Sequence, residues 1–474
     1  MRNMMLLLMS GLSLGLGCAP AQSEAPEKEI IYVGWTGGVP VSESPSTAPV
    51  DPMEALATGD EATPEEVASV EEEFPESPES SPEENEGVPT PEEGEEETVE
   101  IPVEEVEDTP TGPALYGEVC NQPGPTPVNG WMTSSPEAQG MDSSALDEAA
   151  AFAGEHDTAC MVVIRNGTLV GEWYWGFNTP TTLQKSWSVT KSYSATVAGI
   201  AISRGDINSV HDRVADYVPE WDVEVKDWVT LDHLMSMTSG MKFGLIADNI
   251  GISLAKDMSK KAIDWPMTHT PGALWEYNNH TVQMIEPVLR NATGMPPQDY
   301  AEEHLFSPLG MVADWTEDKV GNPTMYMNVR ASCRDHAKFG YLYLQKGCWD
   351  GVQLIDEEYI EAATSPSSDM NPGYGYWWWL NGQFPTLDSI DFKPKEDILH
   401  PDLPHDSFCA VGLGSQVVEV IPSEGLVIVR MGPAPHENLN LWSTQGAVLD
   451  ALLEDGKQLV HNGVVNRVVE AIID

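Results

Sequence analysis

The sequence predicts an α+β fold: an antiparallel sheet flanked by helices, with an all-helical region beside it. Three observations carry this. Residues 160–165 and 168–175 are β-rich and flank Asn166-Gly167, a strong hairpin signal. Two further β-rich runs, 407–421 and 426–431, are joined by Pro422-Ser423-Glu424-Gly425 near the other end. Helical spacing brackets these strands, at 143–155 before the hairpin and at 444–453 after the last strand.

The chain has 474 residues and a formal net charge of −53. Residues 1–18 open with Arg2, continue through short apolar runs at 4–9 and 12–16, and end at Cys18. That pattern predicts a lipoprotein-type bacterial secretion signal, with apolar runs too short to span a membrane. Leu16-Gly17-Cys18 fits a lipobox, with Gly15 where a leucine is usual, so Cys18 is the expected lipidation site. The alternative is an ordinary signal peptide cleaved nearby. Ala19 resembles the residue that follows the cysteine in outer-membrane sorting. The expected location is therefore outside the cytoplasm, tethered to the outer membrane or held in the periplasm or at the cell surface.

Residues 19–112 read as a disordered acidic linker rich in Pro and Glu. Between Gln22 and Thr111 there are 28 acidic residues against one basic residue, Lys28. Such a stretch buries too little apolar surface to offset its ordering entropy and extends by self-repulsion. The apolar island at 30–35 is read as a less polar part of the same tail. Residues 113–474, about 360 residues, are large enough for a sheet core and a helical lobe. Their acidity makes nucleic acid a poor partner.

Within that domain, 143–155 carries Leu146, Ala149, Ala150 and Phe152 on one helical face behind the caps Asp142 and Ser143. After the hairpin, Ser188 opens an apolar helix that Gly205 ends. Thr230 caps a short helix reaching Met235. A helix is expected from about 281 to 291 and another over 335–346. The aromatic run 374–380 reads as a strand.

Ser188-Val189-Thr190-Lys191 carries the chemistry. Residues three apart share a helix face, so the lysine amine stacks near the serine hydroxyl. A serine is a weak nucleophile until a base takes its proton, and desolvation brings a lysine pKa toward neutrality. Backbone N–H groups at a helix start suit an oxyanion. The alternative for Ser188 is an N-cap. Two other segments share the spacing. Ser239 and Lys242 lie in a turn-like Met-Thr-Ser-Gly stretch, and Ser253 and Lys256 lie on what reads as a solvated lysine-rich face. Further on, Pro271-Gly272 precedes Tyr277-Asn278-Asn279. There a phenol can pass protons and an amide can hold the lysine and the substrate. The alternative for Tyr277 is a core tyrosine. Tyr326-Met327-Asn328 repeats the pattern.

Taken in order, these pieces resemble the serine β-lactamase and penicillin-recognising family. Within it they are similar to class C-like hydrolases and esterases, including 6-aminohexanoate-dimer hydrolases. Ser188-Val189-Thr190-Lys191 matches S-x-x-K, and Tyr277-Asn278-Asn279 matches Y-x-N about 90 residues later. Residues 234–240 resemble the family's LL-x-M-T-S-G segment, which makes Ser239 part of a turn. Residues 335–340 and 347–351 resemble another family stretch, which excludes Tyr326-Met327-Asn328 as the Y-x-N. The third motif, Lys-Thr-Gly or His-x-Gly, is replaced by Ala410-Val411-Gly412-Leu413-Gly414, without a cation. The resemblance implies a β-lactamase/transpeptidase-like fold with Ser188, Lys191, Tyr277 and Asn279 as catalytic residues. Asn279 is expected to orient Lys191. Gly412, Leu413 and Gly414 would form the substrate strand and lend an N–H to the oxyanion hole.

The missing cation argues against β-lactams and D-Ala-D-Ala peptides, and so toward small-molecule esters or amides. A non-catalytic cell-wall or β-lactam sensor and a D-alanyl carboxypeptidase are the alternatives. No cofactor is assigned. No metal is assigned either, since His233, His280, His405 and His436 show no ligand spacing. Apart from Cys18 there are five cysteines, an odd number, and export permits disulfides. Cys333 and Cys348 would sit roughly 16 Å apart along the helix expected between them, too far to bridge. The pairing otherwise stays open.

Overall fold

The structure is a computed structural model. It describes residues 115–121, 124–382, 387, 399–432 and 460–473, which fall in the compact unit Pro102–Asp474. The expectations for the secretion signal, Cys18, the acidic linker and a helix at 444–453 lie outside the described residues.

In chain order, α1 (Ser143–Glu155), β1 (Cys160–Arg165) and β2 (Thr168–Tyr174) precede β3 (Gln184–Lys185), α2 (Thr190–Ser203) and α3 (Leu231–Met235). Then come α4 (Asn279–Gln283), α5 (Ile285–Thr293), β4 (Ala313–Trp315), β5 (Val329–Ala331) and α6 (Cys333–Leu344). After β6 (Cys348–Trp349) and β7 (Val352–Gln353) follow β8 (Trp379–Leu380), β9 (Phe408–Gly412), β10 (Gln416–Ile421), β11 (Leu426–Met431) and α7 (Val460–Glu470). Residues 214–309 contain only helical segments and loops, which is the expected all-helical region.

The main sheet has six strands in the order β2-β1-β11-β10-β9-β8, and every neighbouring pair is antiparallel. The two ends of the domain meet where β1 pairs β11, from Cys160↔Met431 to Arg165↔Leu426. Asn166 and Gly167 both take positive φ, 49° and 75°, as the hairpin turn between β1 and β2 requires. Side chains alternate across the sheet. On one face Val162, Val418, Val420 and Val427 join α2, α6 and the helical region in the larger core. On the other, Val163, Val417, Ile421 and Ile428 pack with α1 and α7. Gly340 lets α6 lie close to the sheet, because a Cβ there would come within 2.8 Å of Val418 and Val427 side chains.

Several expected elements differ. The run 407–421 is two strands, because Gly414 and Ser415 take positive φ, 81° and 59°, and fold the chain back. This places Leu413 and Gly414 in the turn, with Gly412 at the end of β9. The aromatic run 374–380 is a strand only at Trp379–Leu380. Trp377 sits at φ 58°, and its carbonyl accepts from Ser192 Oγ at 2.7 Å instead of a strand neighbour. The helix expected at 281–291 is two helices that meet at Met284.

Two disulfides close long loops: Cys120–Cys348 and Cys160–Cys333, with Cα separations of 5.9 and 6.4 Å. Cys333 and Cys348 do not pair with each other, and Cys409 is a buried thiol. The Cys160–Cys333 bond ties the start of β1 to the start of α6 across 173 residues. Replacing both of its cysteines by alanine is expected to cost about 2–5 kcal/mol of stability. Denaturant unfolding beside the wild type measures this, and an unchanged midpoint would show that the link contributes nothing.

Candidate active site

Ser188 sits in a single 3-10 turn, Trp187–Val189, and α2 begins at Thr190. The nucleophile candidate is thus one step ahead of the α-helix, yet the three-residue spacing still brings it to Lys191. Lys191 Nζ lies 3.0 Å from Ser188 Oγ. The N-cap alternative does not hold, since neither helical segment is capped by the Ser188 side chain.

The turn takes a costly conformation. Trp187 has φ 49°, a left-handed geometry that costs a bulky residue on the order of 1–3 kcal/mol. Surrounding bonds hold it. Asn328 N donates to the Trp187 carbonyl at 3.2 Å, and Ser186 N to the Val329 carbonyl at 3.0 Å. Thr190 Oγ1 meets Ser186 Oγ at 2.9 Å and accepts from Val329 N at 2.8 Å.

Lys191 is 1 % exposed. Burial pulls its pKa down from its ordinary 10.5 to about 7, against an opposing pull from the Asp248 carboxylate. Its second hydrogen bond goes to the Tyr326 carbonyl at 3.0 Å. Its Nζ also lies over the Tyr277 ring, 4.7 Å from the centroid.

Burial raises the Tyr277 pKa above the ordinary 10.0, and the nearby Ser188 side chain opposes that rise. Its ring stacks on Trp379 at 6.0 Å and meets Tyr374 edge-on at 6.3 Å. The aromatic run that fails to form a full strand therefore supplies the wall that holds the phenol.

Asn279 lies elsewhere than expected. Its Nδ2 donates to the Asp248 carbonyl at 3.1 Å and to Asn249 Oδ1 at 3.3 Å, while the hydrogen bonds of Lys191 run to Ser188 and Tyr326. Asn279 Oδ1 is buried with no hydrogen-bond partner among the described residues. The organising residue here is Asp248. Its carboxylate accepts the backbone N–H groups of Asn279 at 2.7 Å and His280 at 3.1 Å, and meets His280 Nδ1 at 2.7 Å. It so fixes the start of α4, where a negative charge is favoured. Asp248 is carried on a π-turn, Ala247–Gly251, and no motif in the sequence marks it.

Gly412 presses against the Ser188 turn. A Cβ on it would lie 2.4 Å from the Ser186 carbonyl oxygen and 3.0 Å from Ser188 N, so only glycine fits. Gly414 turns away, and its carbonyl accepts from Arg430 Nη1 at 2.6 Å. The competing serines have other work. Ser239 Oγ meets Thr281 Oγ1 at 2.7 Å inside a turn. Ser253 is not on a solvated face: it is half-buried, 3.0 Å from the Tyr326 hydroxyl. Tyr326 thus turns its phenol to Ser253 while its carbonyl holds Lys191. A backbone carbonyl has no sequence signature, which is why reading side chains alone misses it.

The sequence profile of the Beta-lactamase family matches residues 139–440. An uncharacterized protein of Alkalihalophilus pseudofirmus is 23 % identical over 305 residues, covering 57 % of this chain and 82 % of its own. The β-lactamase of Escherichia coli K12 is 26 % identical over 137 residues, 29 % of this chain and 36 % of its own. Among solved structures, a Bacillus anthracis protein assigned as a 6-aminohexanoate-dimer hydrolase superposes with a TM-score of 0.53 at 18 % identity, covering 72 % of this chain and 93 % of its own. The chain belongs to the Beta-lactamase family and is a serine hydrolase of the β-lactamase and penicillin-binding type.

Proposed function

We propose that the protein is an exported hydrolase that cleaves a small-molecule ester or amide through an acyl-enzyme on Ser188. The observation that carries this is the buried Lys191 amine 3.0 Å from Ser188 Oγ. With a pKa of about 7, a substantial share of the amine is neutral near neutral pH. In that state it takes the hydroxyl proton as Oγ attacks the substrate carbonyl. Ser188 N, close to Gly412 at the end of β9, is the N–H that would serve as an oxyanion donor. Burial keeps the Tyr277 phenol protonated beside Ser188, so it can hand a proton to the leaving group. Water then attacks the acyl carbonyl and gives a proton to the Tyr277 phenolate, while Lys191 returns its proton to Ser188 Oγ as the C–O bond breaks and the acid leaves. Asn279 contributes through Asp248 and the start of α4.

Ala410-Val411-Gly412 supplies no cationic side chain for a substrate carboxylate, which favours uncharged esters and amides over β-lactams and D-alanyl peptides. The same feature suits a sensor that acylates without release. Export is supported by the two disulfides, which persist in oxidising compartments. A lipid on Cys18 and the acidic stretch 19–112 would hold the domain off a membrane.

Intact-mass measurement after fluorophosphonate treatment, beside Ser188→Ala, tests the nucleophile. One adduct that vanishes in the variant, followed by steady turnover of short-chain p-nitrophenyl esters, is the expected result. An adduct without turnover selects the sensor, and no adduct on folded protein sinks the proposal.

The pH profile tests the base. Because the neutral amine is the active form and burial lowers its pKa, kcat/KM should fall about tenfold per unit below pH about 7. It should stay level through pH 9, since the Tyr277 phenol is raised above 10.0 and keeps its proton. An acid limb near pH 4 would assign the base to a carboxylate instead.

For the anchor, Cys18→Ala is expected to move the expressed protein from the detergent-extracted membrane fraction to the soluble exported fraction. Equal partitioning of the two forms would remove the lipid tether.

A further inference from the structure

On the sheet face opposite Ser188, three buried side chains converge: His400, Cys409 and Glu419. Their donor atoms all lie within 4.8 Å of one another, and His400 Nε2 is 4.0 Å from Glu419 Oε2. Cys409 and Glu419 are cross-strand partners on β9 and β10, so their side chains leave the sheet on the same side. That side is otherwise the apolar core of α1 and α7, with Leu403, Val417 and Ile421. Glu419 is 0 % exposed. Among the described residues, no N–H or hydroxyl donates to either of its carboxylate oxygens.

His400 is placed with care. The buried amide of Asn381, just past β8, brackets its backbone: Asn381 Oδ1 accepts the His400 N–H at 2.6 Å, and Nδ2 donates to the His400 carbonyl at 2.9 Å. A strand end and an approaching loop are thus locked together at the point where the imidazole reaches the thiol and carboxylate.

We infer that His400, Cys409 and Glu419 form a structural site for one divalent transition-metal ion, zinc by preference. Thiolate, imidazole and carboxylate together are a zinc donor set, whereas calcium and magnesium take oxygen alone. Bonds of about 2.0–2.3 Å put neighbouring tetrahedral donors roughly 3.3–3.7 Å apart, so a closure of about 1 Å brings all three into bonding distance and leaves the fourth position to a water molecule. The charges balance: the thiol releases its proton to solvent, and thiolate plus carboxylate neutralise the dication while the imidazole stays neutral. One ion therefore satisfies a buried carboxylate that the described residues leave without a strong donor. The sequence offers no such reading, since the three positions gather only across two strands and a loop.

The full chain is expressed in zinc-supplemented medium, so that the ion is present during folding, and is then dialysed and analysed by inductively coupled plasma mass spectrometry. About one equivalent of zinc is expected, falling at least tenfold in Cys409→Ala and in Glu419→Gln. Protein grown with cobalt should show a thiolate-to-cobalt charge-transfer band that Cys409→Ala lacks. Fluorophosphonate labelling of Ser188 checks that each variant is folded, and differential scanning fluorimetry should give a lower melting temperature without the metal. Wild-type protein that holds less than a tenth of an equivalent overturns the inference, leaving a thiol–carboxylate contact alone. Equal metal and an unchanged band in Cys409→Ala overturn it as well, because the ion then sits elsewhere.

Discussion

The burial of one amine organises the half of this molecule that holds the candidate active site. Bringing the Lys191 pKa from 10.5 to about 7 corresponds to about 5 kcal/mol against the charged form. A fold that keeps such a group inside must meet its polar needs without giving back the shift. The hydroxyl of Ser188 and the carbonyl of Tyr326 do this as neutral acceptors. The rings of Tyr277 and Tyr326 lie alongside, with centroids 4.7 and 5.8 Å from the amine. The opposing influence is Asp248, and its carboxylate is already occupied by two backbone N–H groups and the His280 ring. Had that charge met Lys191 as an ion pair, the amine would have stayed protonated and useless as a base at neutral pH.

Helix α2 shows how the surroundings are held. Every residue from Thr190 to Ala201 is buried, yet Thr190, Ser192, Ser194 and Thr196 are polar. Three of them reach the backbone of another segment: Thr190 takes Val329 N, Ser192 gives to the Trp377 carbonyl, and Ser194 gives to the Met325 carbonyl. Thr196 bonds back to the Ser192 carbonyl and meets the Tyr343 hydroxyl at 2.8 Å. Irregular segments at 325–328 and 374–378, and the N–H at the start of β5, leave some backbone groups outside any ladder, so a buried helix with hydroxyls meets them. The outcome is functional, since the first segment delivers the Tyr326 carbonyl to Lys191 and the second leads into the aromatic wall behind Tyr277.

What could be read from the sequence follows how local the signal is. The three-residue step from Ser188 to Lys191, the Asn166-Gly167 turn and the Thr230 cap are properties of a few adjacent residues, and the structure has them as expected. Tyr277 was legible through its motif, and its placement beside Ser188 follows. The rest depends on distant chain. Asp248 sits in a π-turn with no marker, Tyr326 acts through a carbonyl, and Cys160 finds Cys333 only after the sheet and α6 assemble. The strand errors have a similar cause. Apolar and aromatic content at 374–380 and 407–421 reports burial, while positive φ at Trp377, Gly414 and Ser415 decides where the strands stop.

Strand β9 joins the two faces of the sheet through its register. Phe408 and Ala410 face the core that carries Ser188, and Gly412, in phase with them, is pressed against the Ser188 turn. Cys409 and Val411 face the other core. A slip of one residue would exchange the two sets: a side chain would strike the Ser186 carbonyl, and the thiol would leave Glu419. Trp379 ties the faces further, since it pairs with Cys409 across the sheet edge while its ring stacks on Tyr277. Whatever fixes Cys409, Glu419 and the end of β8 therefore also fixes the distance between Gly412 and Ser188. A buried polar cluster behind the sheet is tolerable on these terms, because the alternative register that an all-apolar face would permit is the one that closes the candidate active site.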